Sequence, residues 1–263
     1  MKVALSIAGS DSGGGAGVQA DLRTFAAYGL HPTCAITAVT AQNSVAVTDW
    51  APIDPRLVVA QIEAVAGDMP VAAVKTGMLA TAEIVGAVAE VLTRLRLPHL
   101  VVDPVMVAKS GDRLLDPEAE SAYLEALLPL AEVVTPNLPE AGALLGREVR
   151  DLAAMRDAAR ELCARGARAV VVKGGHLEGD PVDIFADAAR IEEIPAHRID
   201  TRHTHGTGCT FASAIAARLA LGDEVLEAVR AAKAYLTEAI RGAYGVGRGC
   251  GPVDHLHLLR RVR

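Results

Sequence analysis

The densest chemistry in the sequence lies at Thr204-His205-Gly206-Thr207-Gly208-Cys209-Thr210, directly ahead of a strongly apolar run. Two glycines and a threonine at a helix start expose several backbone N–H groups, backed by the positive end of the helix dipole. Such a turn suits an anion, including the charge that develops on a phosphoryl group in flight. Cys209 falls at the first turn of that helix, where a thiol pKa is expected to drop and bring thiolate within reach of neutral pH. A thiolate beside an anion hole can act as a base on an alcohol or as a nucleophile. The plainer alternative is a small buried cysteine at a helix cap.

Three further segments carry residues of the right type. Between Gly9 and Gly17 there are five glycines in nine residues, a backbone cost justified by close approach or unusual dihedrals. The segment is neither a Walker A nor a clean dinucleotide fingerprint, and a flexible strand–helix loop is the competing reading. In Thr135-Pro136-Asn137-Leu138-Pro139-Glu140, Asn137 and Glu140 stand three apart at a helix start and can point to one side. A carboxylate and an amide oxygen there suit Mg²⁺ held beside phosphates; the same spacing also reads as a capping box. Asp103 and Lys173 each end an apolar strand. The lysine ammonium can meet a nucleotide phosphate, or simply snorkel out to water.

Short apolar runs alternate with longer helical patterns along the chain, and these elements must position the residues above. The expected strands are Val3–Gly9, Cys34–Ala41, Ala73–Gly77, Leu100–Val105, Val133–Asn137, Ala169–Gly174 and Val182–Ala186. The expected helices are Gly17–Tyr28, Pro55–Gly67, Ala82–Arg96, Pro117–Leu130, Leu138–Leu145, Leu152–Arg165, Thr210–Leu221 and Asp223–Tyr244. This alternation predicts an α/β fold: a mostly parallel central sheet with helices on both faces, formed by one domain over residues 1–263. Ligands of such sheets sit beyond the carboxyl ends of the strands, where the informative residues fall.

Composition narrows the function further. The chain is 51% hydrophobic but only 3% aromatic, with a net charge of -6. No basic patch is available, so nucleic acid is not an expected partner. No apolar run approaches the roughly 18 residues of a membrane span. The opening Met1–Gly9 superficially imitates a signal sequence but ends at once in Ser10-Asp11-Ser12-Gly13, which reads as a strand running into a loop. The scattered Cys34, Cys163, Cys209 and Cys250 read as reduced thiols in the cytoplasm. Cys34 and Cys163 are assigned to packing, and Cys250 is left without a role. His203/His205 and His255/His257 pair imidazoles without a recognisable third metal ligand.

Taken together, the motifs resemble the ribokinase-like superfamily and, within it, the hydroxymethylpyrimidine/phosphomethylpyrimidine kinases of thiamine biosynthesis. The resemblance runs nearly end to end. It is carried by Ala8–Asp11 with Gly13–Gly17 and Gln19-Ala20-Asp21, Thr40–Asn43, Lys75–Leu79, Val102–Val105, Ala108–Asp112, Thr135–Glu140, Lys173–His176 and His203–Thr210. It implies ATP and Mg²⁺ as cofactors, a small pyrimidine alcohol as substrate, and a homodimer. The implied pyrimidine site comprises Gly9, Ala16, Asp21, Gln42, Met78 and the apolar wall Val105. The Mg–ATP side falls on Asp103, Asn137, Glu140 and Lys173, with Glu140 and Asp103 holding the metal through water. The anion hole falls on Gly206, Thr207 and Gly208, with Cys209 as base or proton-orienting group rather than covalent nucleophile. The resemblance also implies a second phosphorylation, of the monophosphate. The nearest rivals are a pyridoxal or pyridoxine kinase and a non-catalytic pyrimidine-binding regulator.

Overall fold

The computed structural model describes residues 1–106 and 117–260; the Lys109–Asp112 segment noted above lies outside them. Ten strands are described: β1 (Val3–Ala8), β2 (His31–Ile36), β3 (Ala38–Gln42), β4 (Val47–Pro52), β5 (Val71–Thr76), β6 (Leu100–Val102), β7 (Val133–Val134), β8 (Ala169–Val172), β9 (Val182–Asp187) and β10 (Ile191–Pro195). The helices are α1 (Gly17–Ala27), α2 (Pro55–Asp68), α3 (Ala82–Leu95), α4 (Pro117–Ala122), α5 (Leu138–Leu145), α6 (Leu152–Ala164), α7 (Thr207–Leu221), α8 (Val225–Arg241) and α9 (His257–Arg260). Eight strands form one sheet in the order β10-β9-β8-β7-β6-β5-β1-β2. It is parallel from β2 through β8, with β9 and β10 added antiparallel at one edge.

Apolar strands and alternating side-chain direction explain the layers. Along β1, Val3, Leu5 and Ile7 join a core with Ile62 of α2, Ile84 and Val88 of α3 and Met155 of α6. Ala4 on the same strand faces the other way, into a second core with Phe25 of α1, Phe211 and Ile215 of α7 and Val229 of α8. Helix α7 is buried almost throughout, and its many alanines allow close packing against the sheet. Its first turn begins at Gly206, whose φ of 81° is a left-handed conformation that suits glycine.

Several elements depart from the sequence expectation; β7, for example, is only Val133–Val134 where Val133–Asn137 is expected. Cys34–Ala41 is not one strand: the chain breaks at Thr37, whose hydroxyl donates to Met78 O at 2.6 Å. Beyond it, β3 leaves the main sheet and pairs antiparallel with β4 as a separate ribbon. Strands β4 and β10 lie outside the expected strands, because their polar and charged residues mask the apolar pattern, as is usual at exposed edges. Helix α7 starts at Thr207 rather than Thr210, so the Gly-Thr-Gly turn is itself the opening of the helix. No helix among the described residues is long and apolar enough to cross a membrane.

Candidate active site

A cavity of about 750 Å³ opens at the carboxyl ends of β1, β5, β6 and β8. Gly9 and Met78, which stand against each other, line it together with Ala16, Gln42 and Val105, as does a cluster of Asp103, Glu140 and Lys173 with Asn137. Gly206, Thr207, Gly208 and Cys209 line it too, with Gly206 against Gly15 and Ala16 and Gly208 close to Lys173 and Asp103. Pro181, Ile199 and, from α8, Leu236 and Ile240 add apolar lining.

Asp21 is the exception among the residues expected here. It is fully buried on α1 and lies behind the cavity wall. Its carboxylate accepts Lys75 Nζ at 3.0 and 2.9 Å, Ser6 Oγ at 2.6 Å and Ser213 Oγ at 2.6 Å. With its oxygens filled from inside, it has no edge left for a pyrimidine. The group that reaches the cavity is its partner Lys75, which lines the wall near Cys209. Burial works against the Lys75 ammonium, but the negative charges of Asp21 and Asp103 and the hydrogen bond to Asp21 outweigh it and hold its pKa above the ordinary value. One signal for Lys75 was available in the sequence: a lone charge inside the apolar strand Val71-Ala72-Ala73-Val74-Lys75.

Cys209 also differs from expectation. Burial pushes its thiol up to about 11, overriding the pull of the Lys75 ammonium, while Asp21 and Asp103 add to the rise. The helix terminus is present, but desolvation is the larger effect. At neutral pH the group is a thiol.

In the second charged cluster, Lys173 Nζ donates to Asp103 Oδ1 at 2.9 Å and lies 3.8 Å from Glu140 Oε2. Thr135 Oγ1 donates to the same Asp103 oxygen at 3.2 Å. Burial alone would lower the Lys173 ammonium, yet Asp103 and Glu140 raise it to about 12. The capping box at α5 is present: Glu140 N donates to Asn137 Oδ1 at 2.8 Å and Asn137 N to Glu140 Oε2 at 2.7 Å. Both residues nevertheless face the cavity. Burial pushes the Glu140 carboxyl up to about 7, with Lys173 opposing and Asp103 reinforcing.

Gly208 comes close to this cluster. A Cβ there would stand 3.4 Å from Lys173 Nζ and 3.6 Å from Asp103 Oδ2. Gly206 is more constrained, since a Cβ would fall 1.9 Å from Gly15 O. No side chain caps α7; the Thr207 amide donates to Thr204 O at 3.4 Å, and the first turn lines the same cavity as the Lys173 ammonium. An anion between them meets donors from both sides.

Of the remaining cysteines and the paired histidines, His205 lines the cavity and the others do not. Cys34 and Cys163 are free thiols on β2 and α6. Cys250 Sγ donates to Arg202 O at 2.9 Å and accepts Thr204 N at 3.3 Å, which ties the C-terminal segment to the loop ahead of the glycine turn. His203 accepts Gly251 N, and His205 meets Asp11, so both serve the loops around the turn.

Fold and cavity together place the chain among the ribokinase-like kinases. Comparison with known proteins narrows the class. The family described as Phosphomethylpyrimidine kinase matches residues 11–254. A hydroxymethylpyrimidine/phosphomethylpyrimidine kinase of Rhizobium meliloti is 52% identical over 97% of both chains. The chain also spans 53% of a longer relative, the thiamine biosynthesis bifunctional protein ThiED of Geobacter sulfurreducens, with 52% identity. Among solved structures, an ADP complex of Bacillus subtilis pyridoxal kinase superposes with a TM-score of 0.92 at 41% identity, covering 99% of each chain. A phosphomethylpyrimidine kinase from Clostridium difficile gives 0.81 at 42% identity, covering 91% of this chain and 100% of that one. The chain belongs to the phosphomethylpyrimidine kinase family.

Proposed function

We propose that this kinase transfers the γ-phosphoryl group of ATP to 4-amino-5-hydroxymethyl-2-methylpyrimidine, and then phosphorylates the monophosphate to the pyrophosphate used in thiamine biosynthesis. The observation that carries the reading is the spatial order of the cavity. An amide-and-thioether end at Gln42 and Met78 and an ammonium–carboxylate end at Lys173 and Asp103 flank one uncapped helix terminus. The near-full-length identity to the Rhizobium meliloti kinase supports the same substrate class.

Gln42 can pair with the donor and acceptor edge of an aminopyrimidine, while Met78 and Val105 supply adaptable apolar contact. The alcohol then points at Cys209 and the first turn of α7. Because the thiol is held up to about 11, its role is to orient the hydroxyl. As the O–P bond forms and the bond from phosphorus to the bridging oxygen of ATP breaks, ADP leaves and the hydroxyl proton passes late to an oxygen of the transferred phosphoryl group. Lys173 and the amides of Gly206–Cys209 stabilise the charge spread over the transferring group.

Mg²⁺ fits the donor set on the phosphate side: Asp103 and Glu140 offer hard carboxylate oxygens. Among the described residues no group of three or more His, Cys, Asp or Glu side chains converges as a direct cage. These carboxylates would hold the ion through water, where it neutralises phosphate charge. Residues 1–263 are read as one kinase domain acting in the cytoplasm as a homodimer. Val39 and Val45, exposed on the β3–β4 ribbon, offer apolar surface for pairing.

Coupled-assay ADP release with the hydroxymethylpyrimidine and with its monophosphate tests both steps, and no turnover on either sinks the assignment. The second reading is a pyridoxal kinase, favoured by the high superposition on the Bacillus subtilis enzyme. Turnover on pyridoxal and on the pyrimidine, measured side by side, separates the two.

A further inference from the structure

One side-chain pair joins the loop at the alcohol end to the turn at the phosphate end. Asp11 is buried. Its Oδ1 accepts Gly13 N at 2.8 Å, and its Oδ2 accepts Gly15 N at 2.9 Å and Ala16 N at 2.8 Å. The same Oδ2 lies 2.8 Å from Nε2 of His205, the residue that immediately precedes the anion turn. Burial alone would raise the Asp11 pKa, but the bonds from His205 and the loop amides outweigh it and keep the carboxyl below its ordinary range. One carboxylate therefore gathers three amides of the glycine-rich loop and one imidazole of the opposite wall.

The backbones leave little slack around this contact. A Cβ on Gly15 would fall 2.4 Å from His205 Cδ2, and one on Gly206 would fall 1.9 Å from Gly15 O. The far side of His205 is pinned as well, with its N–H donating to Gly251 O at 3.1 Å and its carbonyl accepting Val253 N at 3.3 Å. At the other end of the loop, Ser12 Oγ accepts Gln42 N at 2.7 Å and donates to Gln42 O at 2.6 Å. A continuous route thus runs from Gln42 through Ser12 and Asp11 to His205 and Gly206.

We propose that Asp11 and His205 form a positioning joint that sets the distance between the acceptor hydroxyl and the transferring phosphoryl group. It does so by holding the loop with Gly9 and Ala16 against the turn with Gly206 and Gly208. The inference rests on the kinase reading above but not on which alcohol is phosphorylated. Neither side chain is assigned to the reacting atoms. Their contribution is geometric, and a displacement of about 1 Å between reacting groups can cost about a hundredfold in rate.

The test compares two substitutions of His205. Glutamine places an amide N–H where Nε2 stands, whereas asparagine is too short to reach Asp11. Steady-state kcat and both KM values are measured on the alcohol that the wild type phosphorylates, with its affinity taken by calorimetry. In His205→Asn, kcat is expected to fall about tenfold to a hundredfold, while KM values and alcohol affinity stay within about threefold. His205→Gln is expected to recover most of the rate. Gly15→Ala drives a methyl into the imidazole without a positive-φ penalty and is expected to match His205→Asn, which covers the case that His205→Asn does not fold. Unchanged kcat in His205→Asn and Gly15→Ala overturns the joint, as does a loss confined to KM or a His205→Gln variant as impaired as His205→Asn. A wild type inactive on both the pyrimidine and pyridoxal overturns the kinase reading and the joint with it. An active wild type with indifferent variants overturns the joint alone.

Discussion

Lys75–Asp21 and Lys173–Asp103 are the same chemical pair at neighbouring points of the cavity wall, yet they are built differently. In the first, both side chains are fully buried, and Ser6 and Ser213 fill the remaining carboxylate positions. In the second, Lys173 keeps 16% of its side-chain surface exposed, and a second carboxylate, Glu140, waits at 3.8 Å. A saturated carboxylate can only hold its partner in place. An ammonium with spare donors beside an open cavity can accept a phosphate. The number of hydrogen-bond positions left over, rather than the identity of the charged residues, separates scaffold from binding site.

The sharpest way to break this contrast is to delete each lysine in turn. Lys75→Met leaves Asp21 buried and unpaired, and is expected to cost about 3–5 kcal/mol of stability in denaturant titration. Lys173→Met is expected to lower kcat/KM for ATP about a hundredfold to a thousandfold, with a much smaller loss of stability because water in the cavity can reach Asp103. If Lys75→Met melts like the wild type, or if Lys173→Met unfolds as readily as Lys75→Met, the distinction between sealed and open pairs fails.

The same contrast explains what was legible in the sequence. The capping box of Asn137 and Glu140 and the glycine turn before α7 are local patterns, and the chain folds them as their spacing requires. Lys173 and Asp103 were visible because each ends an apolar strand. Asp21 was misplaced because its partners lie 54 residues away at Lys75 and 192 away at Ser213, and no local pattern records such contacts. The break at Thr37 was hidden for the same reason, since it depends on a hydrogen bond to Met78 O across 41 residues. For Cys209 the local rule was sound but outweighed: a helix terminus favours thiolate, and burial disfavours it more.

Cys209 sharpens the comparison because it stands between the two pairs and feels both. With its thiol held up to about 11, roughly one molecule in ten thousand carries thiolate at pH 7. If thiolate were the required base, kcat would climb about tenfold per pH unit from 7 to 10. An orienting thiol gives a flat profile between pH 7 and 9, and that is the expected result. Cys209→Ser should then stay within about tenfold of the wild type, with Cys209→Ala lower by about tenfold to a hundredfold. A slope near one in the log kcat–pH plot would move the role of Cys209 from orientation to base.

The smallest expected effect belongs to Glu140, the carboxylate that the open pair leaves partly unmatched. Its folded pKa, about 7, lies above the ordinary value of 4.5, so the folded state binds the proton more tightly than the unfolded chain does. The stability this confers is fully present below pH 4.5 and is lost as pH rises through 7. Glu140→Gln keeps the capping box, since glutamine serves equally at that position, but removes the titration. Wild type and variant are therefore expected to diverge between pH 5 and pH 8, with wild-type stability falling relative to the variant as the pH rises. Thermal melts across that range read the difference directly. A wild type that instead gains stability over the variant as pH rises would mean that Lys173 compensates Glu140 as fully as Lys75 compensates Asp21, and the two pairs would no longer differ in kind.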